Sequence, residues 1–157
     1  MNRMTFRAAL TTLATCALAQ GPALAQNADA PEAAYAHTVE GSFDDVAFAV
    51  EQAITNEGLV IDFTSHVGDM LARTKADVGG EKDLFTHASV FSFCSAAVSR
   101  AAMEVDLSAL QFCPYGIFVY EAAEAPGTIV VGHRVHPGEA MAPVNEMLTR
   151  IVDTAIE

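Results

Sequence analysis

PYGIFVYEAAEAPGTIVVGHRV, residues 114–135, sets two β-branched and aromatic runs on either side of AAEAPG. Each run has the length and composition of a strand, and Pro126-Gly127 between them is a turn signal. The pair therefore predicts antiparallel neighbours joined by a hairpin. Downstream, PGEAMAPVNEMLTRIVDTAIE repeats Met141, Val144, Leu148, Ile151, Val152 and Ala155 at helical spacing, an amphipathic helix with Pro143 in its first turns.

Upstream, GSFDDVAFAVEQAITNEGL opens on Ser42 as an N-cap with Asp45 three residues later. It places Val46, Val50, Ala53 and Ile54 on one helical stripe and ends at Gly58. LVIDFTSH (59–66) and THASVFSFC (86–94) read as strands, with a short helix through Met70 and Leu71 between them. Ser95 caps an Ala-rich helix whose Val98, Ala102 and Val105 form the apolar face. The order βα, βα, βα, ββ, α predicts an α+β fold, a mainly antiparallel sheet with helices packed on one face. The other face, expected to carry Phe91, Phe93, Phe118 and Tyr120, then needs cover from a homodimer partner, a small ligand or another protein.

The N-terminus reads MNRMTFRAALTTLATCALAQGPALAQ: Arg3 and Arg7, an apolar run, then Ala23-Leu24-Ala25. This is the pattern of a secretory signal peptide over 1–25, which predicts an exported, periplasmic product. Thr15 before Cys16 argues against a lipoprotein cut. Residues 26–35, QNADAPEAAY, have no period and read as a disordered lead-in to a single domain over 36–157. No segment approaches the roughly 18 apolar residues of a membrane span. The formal charge is −12, with 20 acidic residues against 8 basic ones, and it becomes more negative once Arg3 and Arg7 are removed. Such a surface repels phosphate backbones and anionic headgroups, so nucleic acid is a poor partner.

FSFCSAAVSRAAMEVDLSALQFCPYGIFVYE, residues 91–121, together with the helix opening at Ser42, resembles the bacterial family called domain of unknown function 302. Phe43, Ala53, Gly58, Cys94, Pro114 and Tyr120-Glu121 carry the resemblance, which spans about residues 36–136. Many members have Pro-Cys where this chain has Cys113-Pro114-Tyr115, and its FCSA and FCPY are similar to an exported subgroup. The resemblance implies a TATA-binding-protein-like α+β sandwich, often dimeric, and implies no activity.

Cys94 and Cys113 are the cysteines left after the leader, and in an oxidising compartment such a pair is most often a disulfide. Antiparallel strands would bring them together; a parallel crossover would hold them at opposite ends. The alternative uses Cys94, just before a helix start, as a reactive thiolate for redox, sulfur-handling, metal or haem chemistry. Met103 would add a thioether to a soft metal, though a Met at helical spacing more often fills core. His133 and His136, three apart at a strand end, are weaker ligand candidates and read better as surface or strand-end residues. No cofactor, metal or reaction follows from these residues: there is no CxxCH, no Ser/His/Asp order, no phosphate loop. The leading expectation is a periplasmic, non-enzymatic binding or accessory protein, with Cys94–Cys113 as its staple.

Overall fold

The computed structural model describes residues 33–157. The leader expected over 1–25, and residues 26–32 of the lead-in, lie outside them. Five strands, β1 (Ala34–Glu40), β2 (Ile61–Ser65), β3 (Phe85–Phe93), β4 (Tyr115–Ala122) and β5 (Thr128–Arg134), are interspersed with four helices. The helices are α1 (Phe43–Asn56), α2 (Val67–Thr74), α3 (Ala96–Val105) and α4 (Ala142–Ile156), with short 3-10 turns at Leu107–Phe112 and Glu139–Met141. The strands form one antiparallel sheet in the order β1-β5-β4-β3-β2. The expected α+β architecture is the observed one.

The hairpin sets the register. Ile117 faces His133 and Glu121 faces Ile129, and burial alternates strictly along β4. Tyr115, Ile117 and Val119 are buried together with Ile129 and Val131, each such aliphatic side chain contributing about 1.5–3 kcal/mol. Helices α1 and α4 lie against each other and against β4 and β5, α3 packs on α4, and α2 packs on β3 beyond the end of β2. The Ser42 hydroxyl accepts the Asp45 N–H at 3.1 Å and the Ser95 hydroxyl accepts the Val98 N–H at 3.3 Å, so both predicted N-caps close their helices. Val50, Ala53 and Ile54 of α1 meet Val144, Met147, Leu148, Ile151 and Val152 of α4 in the core.

The structure corrects three expectations. The four aromatics do not share a face: side chains alternate along a strand, so Phe91 and Phe93 are buried under the helices at 2% and 0% exposure. Phe118 and Tyr120 lie on the opposite face, where Val90 is the cross-strand partner of Phe118. Val105 ends α3 and points to solvent, so Ala102 and Val98 make that helix's contact instead. Ala34 and Tyr35 belong to β1 and not to the lead-in, paired with Arg134 and His133.

β1 reaches β5 closely because residue 132 is glycine. A Cβ there would strike the Tyr35 carbonyl oxygen and come within 2.7 Å of the Ala36 Cβ. Edge strand and neighbour meet only over a missing side chain.

Candidate functional site

β3 ends and β4 begins at the paired residues Phe93 and Tyr115. Cys94 and Cys113 therefore sit together just past that last rung, as the antiparallel arrangement predicts. Both are free thiols, Cys94 exposed and Cys113 half-buried. The Cys113 thiol donates to the Ser99 hydroxyl of α3 at 3.7 Å, and Tyr115 lies beside both. Burial pushes the Tyr115 hydroxyl up to about 12; Ser99 opposes the shift, while Cys113 and Cys94 add to it.

Cys94 stands just before the start of α3, as the sequence led us to expect. Ser95 caps α3, so Cys94 lies one residue outside the amides whose partial charge favours an anion. Its thiol is held above the ordinary value by burial first, then by Cys113 and Asp62; a hydrogen bond from the Tyr115 backbone acts the other way. These surroundings favour the protonated dithiol over an activated nucleophile.

Met103 packs against the core, the gap-filling role. His133 and His136 stand at and just past the end of β5, the strand-end alternative, and not on the surface; they are 1% and 7% exposed. His133 approaches the Arg134 carbonyl oxygen through Nδ1 at 2.9 Å and the Thr149 hydroxyl through Nε2 at 3.1 Å. His136 is fixed by the Asn145 side chain, which accepts its backbone N–H and donates to its carbonyl, and its ring lies 5.1 Å from that of Phe112. Burial pushes both imidazoles below their ordinary value. Among the described residues no group of three or more His, Cys, Asp or Glu side chains converges to hold a metal.

Two polar groupings escaped the sequence because their members are far apart along it. The Tyr35 hydroxyl donates to Asp153 at 2.7 Å across β1 and α4. Glu121 accepts the Gly127 N–H at 2.7 Å and faces His87 Nδ1 at 3.0 Å, tying the hairpin turn to β3. His87 and Ser89 also line a cleft of about 350 Å³ between α1 and β3 that carries Asp44, Glu51 and Asp69.

The sequence profile described as "Domain of unknown function DUF302" matches residues 35–157. The chain belongs to this family. Among solved structures, that of an uncharacterized conserved DUF302 protein from Bacillus stearothermophilus shares the fold at TM-score 0.62 and 16% identity, over 78% of this chain and 97% of that one. A search among curated proteins gave no match.

The DUF302 positions recognised in the sequence have physical roles here. Phe43 stacks on His87 at 5.0 Å, Ala53 is buried between helix and sheet, and Gly58 takes the φ of +77° that ends α1. Glu121 holds the hairpin turn. Tyr120 lies beside Phe118 on the open face, ring centroids 6.2 Å apart.

Proposed function

We propose that this DUF302 chain is an exported, non-enzymatic binding or accessory module that pairs with a second copy of itself through the open face of its sheet. One observation carries the reading. Val90, Phe118, Tyr120 and Val130 project from that face half-exposed, and of the residues that β1, β3, β4 and β5 place there only Glu40 and Arg134, at opposite ends of the β1–β5 pair, are charged. A chain of formal charge −12 meets its copy at least cost where carboxylates are sparse, and this face offers that. The signal-like N-terminus supports export.

Sedimentation equilibrium tests the pairing. The wild-type chain should run at twice its 16.6 kDa mass, less any leader, and Phe118→Asp should shift it to monomer with an unchanged circular dichroism spectrum. A wild-type monomer at about 100 μM, weaker than the affinity a specific interface normally reaches, rules the pairing out.

A second reading, thiol chemistry at Cys94 and Cys113, rests on their adjacency. The raised Cys94 thiol disfavours nucleophilic catalysis, so a structural staple formed on export is the better use of the pair.

A further inference from the structure

At the end of the sheet where β4 begins and β5 finishes, the open face deepens into a cavity of about 410 Å³, within the roughly 300–1,000 Å³ range of small-ligand sites. Its apolar wall is built by Val90, Phe112, Pro114 and Phe118, and its polar side by Arg134 and His136. Gly116 keeps it open, because a Cβ there would press on the Val90 side chain at 3.1 Å.

The charge of this cavity runs against that of the chain. Among the described residues no acidic side chain lines it, whereas the cleft between α1 and β3 carries three carboxylates. Lys75, Arg100 and Arg150 each hold a carboxylate, whereas Arg73, Lys82 and Arg134 do not among the described residues, and of these three only Arg134 lines this cavity. Arg134 has no ion-pair or hydrogen-bond partner for its guanidinium among the described residues, although 20 acidic side chains are present in the sequence. His136 is buried, with 7% of it exposed, and its Nδ1 has no hydrogen-bond partner among the described residues. That nitrogen is closed to solvent, which leaves Arg134, an exposed residue, as the charged group a ligand can reach.

We infer that this cavity binds a small monocarboxylate with an aromatic or aliphatic body, its carboxylate on Arg134 and its body against Phe112, Pro114 and Phe118. A guanidinium fork matches a carboxylate in geometry as well as charge. A single cation in a strongly acidic chain suits a monoanion; phosphate or sulfate would need more positive charge than the site holds. This ligand class rests on the binding-module reading and deepens it, and it does not require the dimer.

Isothermal titration of the purified chain with phenylacetate, benzoate and hexanoate tests it, with phenethyl alcohol and inorganic sulfate as controls. Saturable binding is expected for at least one carboxylate, with the alcohol and sulfate weaker by about tenfold or more. Arg134→Gln should lower carboxylate affinity by a similar factor, Arg134→Lys by less, and Arg150→Gln should leave it unchanged. Sedimentation of the same samples separates the pocket from the pairing. An Arg134→Gln chain that loses the ligand but keeps the wild-type mass supports the site, as does a monomeric wild type that binds. Absence of saturable binding for all three carboxylates, or equal binding by wild type and Arg134→Gln, overturns it.

Discussion

The imidazole of His133 has both nitrogens engaged and almost no contact with water, so the fold accommodates it neutral. Tyr35, Asp153 and Arg134 surround it, and burial outweighs the opposing effects of the Arg134 carbonyl and the Asp153 carboxylate. Its folded-state pKa therefore lies below the ordinary 6.5. Such a group contributes stability above the unfolded value and loses it as pH falls through the folded one, because the unfolded chain then binds the extra proton. His136 has the same sign. Urea midpoints should decline as pH drops from about 7 toward 5, a loss of about 1.4 kcal/mol for each tenfold difference in proton affinity between the unfolded and folded chains. In His133→Gln that decline should be shallower. Equal slopes in the two proteins would show that His133 does not drive it. Glu121 adds a loss of the same direction at lower pH, since the Gly127 N–H and then His87 hold its carboxyl below the ordinary 4.5.

At the scale of elements, two contacts fix how strands meet. Gly132→Ala should cost about 1–3 kcal/mol, because the new methyl is opposed by β1 backbone, which cannot rotate aside. Hydrogen exchange should show β1 amides losing protection first; uniform loss across the sheet would place the effect elsewhere. Where β3 passes to β4, an oxidised Cys94–Cys113 bond would close a loop of about 20 residues and add about 3 kcal/mol in chain-entropy terms. Oxidised wild type should thus unfold at higher denaturant than reduced protein, with Cys94→Ser insensitive to reductant; no difference between oxidised and reduced wild type excludes the staple. The hairpin and the capped helices were legible because each rests on local spacing, whereas the meeting of the cysteines stayed open until the antiparallel pairing of β3 with β4 was known. The division of Phe91 and Phe93 from Phe118 and Tyr120 followed from the period of two, but only once register was known. Arg134 beside His136, and Glu121 under Gly127 and His87, depend on contacts that no local pattern encodes. The strand-end place of the two histidines was legible and their burial was not, since their polarity was visible in the sequence and their partners, Thr149 and Asn145, were not.

For the whole molecule, charge decides how copies and ligands approach. Two chains of −12 repel across the space around any interface, and that repulsion reaches about 30 Å at 0.01 M salt but only about 8 Å at 0.15 M. Pairing through the sparsely charged open face should therefore tighten as salt rises, since screening removes repulsion while the apolar contact is retained. A carboxylate on Arg134 should behave in the opposite sense locally, because the same ions screen the guanidinium, exposed to solvent at the cavity mouth. Sedimentation and titration at 0.01 M and 0.15 M salt should accordingly diverge, with dimer affinity up and ligand affinity down. Should dimer affinity fall with salt as well, the interface would be held by ion pairs. The acidic helices, with Glu57, Glu104 and Asp153 on their surfaces, would then be the place to look for it in preference to Phe118 and Tyr120.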